Sequence, residues 1–214
     1  MSPKSYTTLP DGTTGMKVHS SHWDDLEKLN PEEVCKRTGA TLDPDYGYQI
    51  RFLNQDVIVD TKNRSLRKTT NNSAEEIDDP LLALVLLVYL QNAVESDPQN
   101  ILAAPKELKE GHFFTGVHAL DVEHVIEKFG HTPEDFAVSA EALGGIRESH
   151  ADMSYRFTAL PRIPLYYLLW EGDEDFPPNI TVCFDRTIEQ HLAADAIWAL
   201  VKRVSRALVK GQAL

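Results

Sequence analysis

Residues 153–185 read MSYRFTALPRIPLYYLLWEGDEDFPPNITVCFD, and the reading of this stretch decides the fold. MSYRFTAL and IPLYYLLW are rich in β-branched, aromatic and leucine residues and are strand-like, with Pro161-Arg162 between them. Glu171 to Pro178 is an acidic turn, and NITVCFD is a third strand. Strands that follow one another without an intervening helix cannot make the crossovers of a parallel sheet, so they imply α+β rather than α/β.

The rest of the chain agrees with that class. YGYQIRFLNQDVIVDTKNRSLRKT alternates polar and apolar residues around Asn54-Gln55 and Lys62-Asn63, the pattern of a small antiparallel meander. Helices are signalled by SSHWDDLEKLN, with Ser20 or Ser21 as cap, and by NPEEVCKRTGA, with Asn30 as cap, Pro31 in the first position and Gly39 at the stop. After the polar TTNNSAEEIDD, Pro80 opens a helix to about Val94 that is apolar nearly all round and therefore central to the core. DVEHVIEKFG and TPEDFAVSAEALGG, the latter capped by Thr132, predict two more helices, and an amphipathic helix from about Ala193 to Val209 closes the chain. The expectation is a flexible tail over residues 1–21 and a single α+β domain over 22–214, with small antiparallel sheets packed against helices.

Composition narrows the function classes. Hydrophobic residues at 42% and charged residues at 25% suit a globular protein. A formal net charge of -12 repels phosphate backbones and anionic lipid, so neither nucleic acid nor a membrane surface is an expected partner. The N-terminus lacks the apolar core of a secretory signal, and Leu81 to Leu90 is half the length of about 20 residues that spans a bilayer, which predicts a cytoplasmic protein. Cys35 and Cys183 are far apart with no CxxC, so within one chain they build neither an iron–sulfur cluster nor a cysteine zinc site, and reduced structural thiols are expected.

The run LPRIPLYYLLWEGDEDFPPNITVCFDRTIEQHLAADAIWAL, with KELKEGHFFTGVHAL and ALGG upstream, resembles the domain-of-unknown-function family 3786. The likeness covers roughly residues 30 to 208 and rests on Pro161, Pro164, Leu169, Trp170, Glu171, Gly172, Asp173, Glu174, Phe176, Pro177, Phe184 and Asp185. Members of that family are found mainly in anaerobic bacteria and archaea and are described mostly as uncharacterised. Some members carry an additional iron–sulfur domain, for which this chain lacks the cysteines. The resemblance supplies a fold family without a reaction.

Three groups of residues are candidates for chemistry. His112 and His118 lie in GHFFTGVH, where Phe113 and Phe114 can wall a flat metallocofactor and either histidine can ligate its metal. His191, with His22 as a further candidate, and the aromatic Trp170 extend this cofactor-binding set. The expected function is binding of a small molecule or metallocofactor, a tetrapyrrole such as haem or a corrinoid being the specific form. The acids Glu171, Asp173, Glu174 and Asp175, with Asp185 and a histidine, offer the alternative of a metal-assisted or acid–base enzyme. Turn acids also serve to accept backbone N–H groups or to pair with Arg156, Arg162 or Arg186, and Asp185 is placed to cap a helix starting near Arg186. A protein-interaction module is the third reading. No GxSxG, Walker or GxGxxG motif is present, and apolar flanks make Cys183 a buried thiol rather than a nucleophile.

Overall fold

The computed structural model describes residues 18–70 and 73–214. The stretch expected to be a tail lies outside the described residues up to position 17, and helix α1 (Ser20–Glu27) begins inside its last residues. Its cap is His19, whose Nδ1 accepts from the Ser21 N–H at 3.3 Å, one residue ahead of the serines expected to do so. Helix α2 (Pro31–Thr38) follows the sequence scheme. Asn30 Oδ1 accepts from the N–H groups of Glu32 and Glu33, and Gly39 ends the helix at φ 75°, where a Cβ would be strained.

Strands β1 (Thr41–Asp43), β2 (Gly47–Phe52), β3 (Gln55–Asp60), β4 (Ser65–Thr70) and β5 (Ser73–Ile77) form an antiparallel sheet in chain order. The sheet exceeds the expected meander by one strand at each edge. SAEEI, read from sequence as part of a polar link, pairs with β4, because an edge strand needs only ladder bonds and no apolar alternation. The β2–β3 turn is centred on Leu53-Asn54, one residue earlier than the sequence indicated. Leu53 sits at φ 52°, a conformation that costs a non-glycine residue about 1–2 kcal/mol. Tertiary structure holds it there: the Leu53 side chain is buried and its N–H donates to Ala159 O at 3.1 Å, while Asn54 Nδ2 donates to Ala142 O at 2.7 Å.

Helix α3 (Pro80–Asn92) is capped by Asp79, which accepts from the Leu82 N–H at 2.9 Å. It is buried from Leu81 through Leu87 and again at Tyr89 and Leu90, as an all-apolar helix must be. An irregular stretch containing β6 (Leu102–Ala103) and three single 3-10 turns leads to α4 (Glu123–Phe129) and α5 (Pro133–Ala142). Thr132 precedes α5 as expected, but its hydroxyl donates to Lys128 O and does not cap. Then come β7 (Ile146–Glu148), β8 (Met153–Leu160), β9 (Ile163–Trp170), β10 (Asn179–Asp185) and α6 (Ala194–Lys210).

The second sheet has the order β6-β10-β9-β8-β7 and is antiparallel throughout. Its central strand β9 is apolar without alternation because both faces are covered. Leu165, Tyr167 and Leu169 face the main core, where burying each leucine contributes about 2 kcal/mol. Tyr167 donates to Val201 O of α6 at 3.1 Å. On the other face Tyr166 and Leu168 join Cys183 in a small separate cluster. Pro164, which cannot donate to a ladder, stands opposite Thr158, where β8 has a register irregularity. Helix α3 packs against α1, α2 and α6, and the two sheets meet where β2 touches β8. Among the described residues no helix is long and apolar enough to cross a membrane.

Candidate functional site

Between the end of β10 and the start of α6 the chain makes a 3-10 turn over Ile188–Gln190 and then His191, Leu192 and Ala193. This short connection borders a cleft of about 430 Å³, whose lining includes Lys109, Glu110, Glu189, His191 and Ala194. That volume falls in the range of small-molecule sites, about 300–1,000 Å³. Its opposite wall is held in place by Glu189, whose Oε1 accepts from the N–H groups of Lys109 and Glu110 at 2.7 and 3.4 Å.

His191 is the unusual residue of the cleft. It is 1% exposed, and neither ring nitrogen has a hydrogen-bond partner among the described residues. Its ring lies 6.3 Å from that of Tyr89. Burial, and next the positive field of Arg162, depress its pKa below the ordinary histidine value, with Asp185 opposing them, so the imidazole is neutral at pH 7. A neutral imidazole offers one N–H and one lone pair, and leaving such groups unmade inside a protein costs about 1–3 kcal/mol each.

The start of α6 adds a second unsatisfied element. Ala193 occupies the cap position and has no side chain to accept the first N–H groups. Ala196 N–H is taken by Asp195 Oδ1 at 2.8 Å, while those of Ala194 and Asp195 meet no acceptor among the described residues. Lys109, across the cleft, is exposed and forms no ion pair among the described residues.

The other sequence-predicted residues are distributed differently. His112 and His118 are exposed, and His118 stacks on Phe113 with ring centroids 4.5 Å apart. Phe114 turns inward and packs against Phe184 at 6.2 Å. This loop continues from Lys109 and Glu110, so it adjoins the His191 cleft. Trp170 does not share that neighbourhood: it ends β9 opposite Asn179, whereas Phe184 pairs with Leu165, five residues back along the strand and about 17 Å away. His22 lies at α1, its backbone carbonyl accepting from Gln91 Nε2 at 2.6 Å. Among the described residues no cluster of three or more histidine, cysteine, aspartate or glutamate side chains is arranged to hold a metal ion.

Two of the acids, Asp173 and Asp185, are engaged in building the fold. Asp173 Oδ1 accepts from the N–H groups of Asp175 and Phe176 at 2.9 and 2.8 Å and closes the β9–β10 turn. Gly172 is required beside it, since a Cβ there would stand 2.5 Å from Pro178 Cδ. Among the described residues no arginine pairs with the turn acids: Arg156 pairs with Glu148, Arg162 with Asp97, and Arg186 forms no ion pair. Asp185, 1% exposed, accepts from Thr187 N, Thr187 Oγ1, Gln99 N and Asn100 N at 3.0, 2.7, 3.2 and 2.6 Å. It therefore ties the approach to β6 onto the end of β10, and the helix cap expected of it becomes the Thr187 bonds alone. Burial raises its pKa, but the bonds from Thr187, Gln99 and Asn100 outweigh that and hold it low.

Sequence reasoning missed Lys109, Glu189 and the bare helix start. The last had a legible signal: LAAD places alanines where a long helix normally has Ser, Thr, Asp or Asn.

The structure is that of an α+β protein with a cleft between the start of α6 and the Lys109-Glu110 segment. Residues 30–207 match the family described as Domain of unknown function (DUF3786), and the chain belongs to that family. Comparison with curated proteins gives no match, and comparison with solved structures gives none.

Proposed function

We propose that the protein binds a small molecule in the cleft beside His191, and that a flat metallocofactor of the tetrapyrrole class, haem or a corrinoid, is the ligand to test first. The observation that carries this reading is the buried His191 imidazole with both nitrogens unbonded at the edge of a cavity. A neutral imidazole with a free lone pair is the state in which histidine ligates a metal, and a tetrapyrrole metal already held by its ring would need only one such protein group. The ring nitrogens lie below the water-accessible surface, so a ligand meets them after a side-chain rotation. His112 and His118, exposed on the loop continuing from Glu110, are the other histidines that could hold the group's metal. A cytoplasmic setting suits this role.

The test is titration of the purified protein with haem and with cobalamin, followed by absorption spectra and melting temperature. Saturable spectral change and a rise in Tm are expected for one of them, since a ligand that binds only the native state stabilises it. Both should disappear in His191→Leu. Absence of both signals with both cofactors overturns the tetrapyrrole reading, and a signal that survives in His191→Leu removes His191 from it.

A further inference from the structure

The N-terminus of α6 opens on the same cleft as His191, and the two observations are independent. The helix is 17 residues long, so its dipole places about half a positive charge at Ala194 and Asp195. Its first N–H groups have no side-chain cap, Ala193 and Ala194 both line the cleft, and Lys109 supplies the one lining ammonium. His191, whose ring nitrogens are buried and unbonded, lines the same cleft and becomes a second polar contact once its ring turns toward the ligand. We infer that this end of the cleft holds a carboxylate or phosphate group of the ligand, with the Ala194 and Asp195 N–H groups and Lys109 as its donors and His191 contacting the neutral remainder. The inference rests on the cleft being the binding site.

The cleft's own acids sharpen the ligand class. Glu189 is already engaged with the Lys109 and Glu110 N–H groups, whereas Glu110 makes no ion pair among the described residues. Two carboxylates on the lining disfavour a polyanion, so the ligand presents one anionic group at α6 and an uncharged body elsewhere.

Acetate and inorganic phosphate, titrated separately into ¹⁵N-labelled full-length protein at low ionic strength, distinguish the two anion types. The Ala194 and Asp195 amide signals should shift saturably with one of them. Lys109→Gln should weaken that probe severalfold. Ala193→Asp, at an exposed cap position, places a fixed carboxylate on the same N–H groups; it should raise Tm while weakening the probe by about tenfold or more. A variant that is more stable yet binds less cannot be explained by misfolding. The inference is overturned if neither anion moves these amides, or if Ala193→Asp leaves affinity unchanged. Indole, an uncharged probe, separates the two readings: if it or a cofactor binds the cleft while both anions fail, this inference alone falls, and if nothing binds, both fall.

Discussion

Asp185 and His191 are six residues apart, both 1% exposed, and in opposite condition. Asp185 accepts four hydrogen bonds, and His191 makes none through its ring. A buried charge is tolerated only when its lone pairs are met, and Asp185 meets that requirement with backbone of two segments. A buried neutral imidazole without partners lowers stability, so it persists only where something other than stability keeps it. The comparison separates a residue whose hydrogen bonds tie two segments together from one whose ring contributes none.

The largest effect is expected from Asp185→Ala. Removing the carboxylate strands the N–H groups of Gln99, Asn100 and Thr187, and should cost about 3 kcal/mol in chemical denaturation with ligand affinity unaltered. A loss under 1 kcal/mol would erase the contrast with His191.

His191→Leu should move the other way, raising stability by about 1–2 kcal/mol while binding is lost. Its pH signature is distinct. The folded pKa of His191 lies below its unfolded value of about 6.5, so the unfolded state binds more protons there and wild-type stability falls as pH drops from 7 through 6.5 toward the folded pKa. The Leu variant should lack that part of the slope, and identical slopes in the two proteins would mean that His191 has a partner. Asp185 and Asp60, held low by their bonds, add stability that is lost only in stronger acid, as pH falls below about 4 toward their folded values.

Within the acidic turn the contrast recurs on a smaller scale. Asp173→Ala removes two turn-closing bonds and should cost about 1 kcal/mol. Glu174→Ala should stay within about 0.5 kcal/mol, as exposed side chains usually do. If Glu174→Ala abolished binding of a divalent metal, the turn would be a site after all.

The elements with strong local signals were legible in the sequence. Asn30, Pro31 and Gly39 bracket α2, the apolar run from Pro80 makes the buried α3, and three consecutive strand patterns fix the antiparallel order β8, β9, β10. The cap chemistry, the apolar periodicity and the short turns act over a few residues, so they can be read without the rest of the chain. Other features needed the tertiary structure. SAEEI becomes a strand only because β4 offers it an edge, and Leu53 accepts a left-handed turn only because Ala159 bonds it and the core buries it. The candidate site depends on the same kind of distant contact. Sequence marked His191 as one histidine among several and grouped it with Trp170, which the strand register sets at the far end of the second sheet. That His191 is sealed and unbonded, beside a bare helix start and a wall pinned by Glu189, follows from segments about 80 residues apart being folded together. Whether a buried polar group is satisfied depends on its neighbours in space, which the local sequence does not specify.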